Sequence, residues 1–128
     1  MPKKIKRNLT LTNLPADRIR MSEVIAEFAQ PLLEEAVDNK SAEVAVLMAV
    51  ACWNVAMMPE DEQEKMIKEV IFKTSATKEE AKIAESVARM LVVRKKELFP
   101  HIKKFVVEHD VQFIKGKMVL NVLSARFD

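Results

Sequence analysis

From Val24 to Ala36 the apolar positions Val24, Ile25, Phe28, Leu32, Leu33 and Ala36 return every three or four residues, the period of one helix face. Ser22 precedes them and is the expected N-cap. Pro31 falls inside the run. It lacks an N–H and crowds the carbonyl four residues back, which predicts a kink or a split. Ser41 is the expected cap of a second helix reaching about Met58. From Val44 to Met58 every position except Asn54 is apolar, so neighbours must cover this helix on most sides. Pro59 suits a first helical position, and Glu60, Asp61, Glu62 and Glu64 suit the positive end of a helix dipole. A third helix then runs to about Lys73. Thr77-Lys78-Glu79-Glu80 has capping-box spacing and opens a fourth helix to about Leu98, with Pro100 as the stop.

After Pro100 the period changes to two. Phe105, Val107, His109, Val111 and Phe113 alternate with Lys104, Val106, Glu108, Asp110 and Gln112, a strand pattern. Lys115-Gly116 fits a two-residue hairpin turn, with Gly free to take a positive φ. Met118, Leu120 and Val122 then share the face of Phe113, Val111 and His109. A three-residue turn would instead bring Val119, Asn121 and Leu123 to that face. The two-residue turn is preferred because it leaves no Asn on the apolar side. A lone hairpin is marginal in water, so this one must pack on the helices, gain a third strand or pair across a dimer. Leu9-Thr10-Leu11-Thr12 also alternates and is a candidate third strand; the alternative is a disordered basic tail.

The expected fold is mainly α: a four-helix core, its second helix central, with a C-terminal β-hairpin as a minor β component. Residues 1–20 form a basic arm, 21–99 the helical core and 100–128 the hairpin. The length of 128 residues suits one domain.

Composition removes several function classes. Gly116 is the only glycine, so neither a P-loop nor a dinucleotide-binding turn can be built. Cys52 is the only cysteine, which excludes a disulfide framework and a cysteine-based zinc site. The apolar run of the second helix is short of the roughly 18–20 residues of a bilayer span. No apolar segment follows the basic start, so no secretory signal is read there. These features point to the cytoplasm. The eight Met suit a soft, well-filled core, or an adaptable groove.

Candidate chemistry is sparse. His101 and His109 are the only imidazoles. Glu97 and His101 straddle a helix end, and His109 points away from its neighbours Glu108 and Asp110 on a strand. No metal, cofactor or catalytic set is expected. Cys52 lies between Ala51 and Trp53, without the positive setting a reactive thiolate needs. Trp53 and Asn54 both carry groups that demand partners when buried, so they are expected to fix helix register or an interface. The acidic group Glu60-Asp61-Glu62 with Glu64 lacks the alternation and central Gly of a calcium loop and reads as a solvated first turn.

The charge is uneven. Residues 1–20 carry six Lys/Arg against one Asp, and residues 94–128 carry eight Lys/Arg against four acids. The middle, 21–93, is acidic, with fourteen Asp/Glu against seven Lys/Arg. Lys3, Lys4, Lys6 and Arg7 form an arm. Lys82, Arg89 and Lys96 recur every seven residues and share one helix face, with Arg94 and Lys95 at its end. Such a surface can hold phosphates, yet it lacks base-stacking aromatics and any known recognition motif.

The strings Phe28-Ala29-Gln30-Pro31-Leu32-Leu33 and Trp53-Asn54-Val55-Ala56-Met57-Met58-Pro59-Glu60 resemble those of short uncharacterised bacterial helical proteins. The resemblance spans roughly residues 20–125, including Asn121-Val122. That group has no assigned activity, so the resemblance carries no function to this chain.

The expected function is therefore a small cytoplasmic interaction or regulatory module, a homodimer or the binder of another protein, with no membrane contact. Its expected contact residues are Trp53, Asn54, Phe105, Val107, His109, Val111 and Phe113. The alternative is nucleic-acid binding through the basic N-terminal arm and the basic hairpin, which carries Lys103, Lys104, Lys115, Lys117 and Arg126, with Lys3, Lys4, Lys6, Arg7, Lys82, Arg89 and Lys96 as expected contacts. An enzyme of unknown class is the third reading.

Overall fold

The computed structural model describes residues 20–126. The basic arm with Lys3, Lys4, Lys6 and Arg7, and the candidate strand at residues 9–12, lie outside the described residues. The described residues form five helices and a hairpin: α1 (Met21–Phe28), α2 (Gln30–Leu33), α3 (Asn39–Ala56), α4 (Glu60–Thr74), α5 (Lys78–Leu98), β1 (Lys104–Ile114) and β2 (Lys117–Arg126). The fold is mainly α with a minor antiparallel hairpin.

Pro31 splits the expected first helix. The chain turns at Ala29, and Pro31 sits in the first turn of α2, where its missing N–H costs nothing. Two N-caps differ from expectation. Arg20 occupies the cap of α1, without a side-chain bond, in place of Ser22. Asp38 caps α3, and Ser41 is its reciprocal partner one turn in. Asp38 Oδ1 accepts the Ser41 N–H at 2.8 Å, and Ser41 Oγ accepts the Asp38 N–H at 3.1 Å. The Ser41 bond holds the Asp38 carboxyl below its usual range. Thr77 caps α5 as the spacing predicts, accepting the Glu80 N–H, while the Glu80 carboxylate accepts from Ala76.

Helix α3 is central. It packs against α1, α2, α4, α5 and β1. Its Trp53 meets Phe28 of α1 and Phe99 beyond α5 in a triad of fully buried rings. Ring centroids are 5.2 Å apart for Phe28–Trp53, 6.2 Å for Phe28–Phe99 and 5.7 Å for Trp53–Phe99, the first two edge-to-face. Edge-to-face contact is the arrangement the ring quadrupoles favour.

The hairpin turn has Lys115 at φ 53° and Gly116 at φ 80°. Two positive φ values in a two-residue loop match the right-handed twist of the strands. The register pairs Phe113 with Met118, Val111 with Leu120 and His109 with Val122, so these six residues share the face against α1 and α3. Nearer the helices the expected alternation fails. A bulge at Val107 separates the pairs Val106–Ser124 and Glu108–Leu123. One extra residue reverses the phase of everything before it. Val106 turns inward and is 5% exposed, while Val107 is 58% exposed. Phe105, paired with Ala125, moves to the other face from Val111 and Phe113 and is half-buried.

The start of β1 is tied to α3 by two adjacent side chains. Asn54 Nδ2 donates to the Val106 carbonyl and Asn54 Oδ1 accepts the Val106 N–H, both at 2.9 Å. Trp53 Nε1 donates to the Lys104 carbonyl at 2.8 Å. The Asn amide thus acts as a one-residue third strand on the outer edge of β1. Asn54→Leu leaves both Val106 groups unpaired. It is expected to cost about 2–3 kcal/mol in urea unfolding. In hydrogen exchange the amides of β1 and β2 should open before those of α3 and α5; uniform loss of protection would contradict a local anchor.

Candidate functional site

The expected contact residues are mostly consumed by the fold. Trp53 is fully buried, and Asn54 is half-buried with both ends of its amide occupied. His109, Val111 and Phe113 face the helices and are half-buried. Val107 is the one member of the set strongly presented to solvent. The inner face therefore docks the hairpin on its own helices and is not a free surface.

The outer face carries different residues. Glu108, Asp110, Gln112 and Ile114 of β1 lie opposite Leu123, Asn121, Val119 and Lys117 of β2. All eight are exposed. Leu123 is 57% exposed and Ile114 51%, so this face keeps large apolar groups in water. Val107 and Leu123 sit at the end near the helices, with Glu108 and Asp110. Ile114 and Val119 sit near the turn, with Lys115 and Lys117. Alternation alone had assigned the contact role to the opposite face, and the bulge is what puts Val107 here.

The basic stripe on α5 is also largely spent inside the molecule. Arg89 pairs with Glu64 of α4 and with Glu85 one turn back. These partners hold the Glu64 carboxyl low and the Arg89 guanidinium high. Lys96 Nζ donates to Gln63 Oε1 at 3.1 Å and lies 3.6 Å from Glu60. Lys82 is exposed, with no ionic partner among the described residues. The seven-residue spacing is real, but α4 presents its acids to it. The stripe is therefore not one continuous unpaired basic face, because Arg89 is paired and Lys96 is braced by Gln63 and Glu60.

Three polar residues bond to backbone carbonyls inside the fold: Arg94 and Lys95, which the sequence placed only on the basic surface, and Gln63, for which it gave no role. Pro31 cannot donate to the Glu27 carbonyl, and the Leu32 N–H turns to Ala29 instead of Phe28. Arg94 adds side-chain donors to both carbonyls: Nη2 donates to Glu27 O, which also accepts a backbone N–H at the helix end, at 2.8 Å, and Nε to Phe28 O at 3.0 Å. Gln63, 8% exposed, donates to Met58 O at 2.8 Å just past the end of α3. Lys95, 5% exposed, donates to Phe99 O at 2.7 Å and Ile102 O at 2.8 Å, closing the turn after α5. Its Nζ also lies 4.6 Å from the Trp53 ring centroid. The signal for these roles was compositional. A chain with one glycine, placed in the hairpin, needs side chains to end its helices.

Among the described residues no three His, Cys, Asp or Glu side chains converge to hold a metal ion. His101 and Glu97 are both exposed at the end of α5. Burial pushes the Cys52 thiol up to about 12, which keeps it protonated and unreactive. No described helix is long and apolar enough to cross a membrane. Surface clefts are shallow. One, of about 340 Å³, lies between Val44, Leu47 and His109. Another, of about 260 Å³, lies at the α5–β1 connection, lined by Ala56, Met57, Lys95, Lys96, Pro100, Ile102 and Lys103.

Burial, aided by repulsion from Lys103, pushes the Lys95 ammonium down from its ordinary 10.5 to about 8. Above pH 8 the unfolded chain therefore binds more protons than the native one, and stability contributed by this group rises with pH. Cys52 acts with opposite sign above its ordinary 9.0, because the unfolded thiol ionises first. The clean window is thus between about pH 8 and pH 9. There the urea midpoint of the parent is expected to rise. In Lys95→Met, less stable throughout, this contribution should vanish; an unchanged slope would rule out Lys95 as its source.

Compared with known proteins, the chain matches no family model, no curated protein and no solved structure.

Proposed function

We propose that this chain is a small non-catalytic interaction module that pairs with a second copy of itself through the outer face of its hairpin. The observation that carries this reading is the pattern of that face. Acids (Glu108, Asp110) lie on the middle of β1 and lysines (Lys115, Lys117) at the turn, with exposed Val107, Leu123, Val119 and Ile114 between and beside them. A two-fold interface brings the same patch of both subunits together. Two such hairpins laid antiparallel set the acids of each against the lysines of the other. The apolar residues then cover one another. The same face against itself in parallel would oppose like charges. Burying part of the exposed Leu123 and Ile114 supplies the hydrophobic driving force, at about 25 cal/mol per Å² of apolar area removed from water.

The setting proposed for the module is the cytoplasm, since its lone cysteine is buried and needs no oxidising compartment. The nucleic-acid alternative draws less support, because Arg89 is paired with Glu64 and Glu85 and Arg94 is bound to the Glu27 and Phe28 carbonyls.

Charge swapping tests the pairing. By light scattering after gel filtration, the parent is expected to be a dimer, and Lys117→Glu or Asp110→Lys alone should shift it towards monomer. The double variant carrying both changes should restore the dimer, because the swapped charges still match. A monomeric parent at high concentration, or a double variant no better than the singles, would sink the proposal.

A further inference from the structure

We propose that the cleft at the α5–β1 connection binds a phosphate dianion, either free or as the end group of a small phosphorylated metabolite. Three lysines line this cleft, Lys95 and Lys96 from α5 and Lys103 from the connection, and no carboxylate lines it with them. Glu60, outside that lining, lies 3.6 Å from Lys96 and is 88% exposed. Lys95 is the unusual member. It is held deep in the wall by the Phe99 and Ile102 carbonyls and the Trp53 ring, which are neutral groups, so its charge is not balanced.

A buried ammonium normally finds an ionised partner or gives up its proton. Here the fold supplies dipoles and a π-face instead, and it adds a second ammonium. Lys103 is near enough to Lys95 to disfavour its charged form. A dianion in the cleft relieves both the desolvation and the repulsion, and charge-assisted hydrogen bonds are the stronger kind. The rest of the lining, Ala56, Met57, Pro100 and Ile102, suits a small group on a short apolar stem. At about 260 Å³ the cleft falls below the roughly 300–1,000 Å³ of sites for drug-sized ligands. That size favours a phosphoryl group over a nucleotide.

The test is calorimetric titration of the full chain with inorganic phosphate and, separately, with glycerol 3-phosphate, at constant ionic strength. Lys103 is exposed, and its ammonium makes no bond within the described fold, so Lys103→Ala should keep the parent's thermal midpoint. That variant is expected to lose affinity about tenfold or more, as removal of one charged hydrogen bond implies. Lys103→Arg should retain most of it. Lys82→Ala, which removes an exposed lysine of α5 that does not line the cleft, should change nothing. Binding of both ligands supports a site for the phosphate group itself. Binding of inorganic phosphate alone assigns free phosphate, and binding of the ester alone assigns a metabolite. No saturable binding at millimolar ligand would overturn the proposal, as would equal losses in Lys103→Ala and Lys82→Ala.

Discussion

Asn54 and Trp53 are neighbours on α3, and between them they hold three backbone groups at the start of β1. A two-stranded hairpin has little stability of its own in water. Its apolar inner face can dock on helices, but such contact is non-directional and leaves register and orientation open. Hydrogen bonds to Val106 and Lys104 remove that freedom, because they fix which residue of β1 meets which turn of α3. The bulge follows from the same contact. Val106 must face the helices where Asn54 holds it, and His109, Val111 and Phe113 must also face them farther along. Those positions differ by an odd number of residues, so an uninterrupted strand cannot satisfy both. One extra residue, Val107, reconciles them.

A second constraint is the scarcity of glycine. Helices commonly end at a residue in the left-handed conformation, most often Gly. In this chain the only positive φ values among the described residues are at Lys115 and Gly116 of the hairpin turn. The helices therefore end by other means. Arg94 covers the last carbonyls of α1, Gln63 braced by Lys96 covers the end of α3, and Lys95 covers the turn after α5. Two of these caps come from a neighbouring element, so they are also tertiary ties. Cations suit the negative end of a helix dipole, and Lys95 and Lys96 lie in the last turn of α5.

Local signals in the sequence were readable where the cause was local. The Lys115-Gly116 turn needs two positive φ values, and Gly supplies one of them. Pro31 forbids a continuous helix, and Thr77 sits three residues before Glu80. Each of these effects lies within four residues of its cause. The bulge at Val107 was not readable, because it is imposed from Asn54, more than fifty residues away along the chain. The same distance hid the role of Arg94, whose partners are on α1. Periodicity placed Arg89 and Lys96 on one face correctly, but it could not show that Glu64 and Gln63 face them. The more apolar face was expected to be the contact surface, and the fold spends it internally.

The two surfaces left free by this arrangement share one group. Trp53 lies under the Lys95 ammonium and also donates to Lys104, the first residue of β1. Lys95 in turn holds Phe99 and Ile102, which frame the connection leading into that strand. Charge at the connecting cleft and the position of the hairpin are therefore read by the same ring. An anion beside Lys95 keeps its ammonium charged, which strengthens the contact with the Trp53 face and the two carbonyl bonds. Those bonds hold the backbone that delivers Lys104 to Trp53 Nε1. A ligand in the cleft would thus firm the hairpin without touching it, and the hairpin's outer face is where a second copy is proposed to bind. Without an anion the fold holds this charge less tightly than water does, so the coupling rests on the ligand offsetting the desolvation and the Lys103 repulsion.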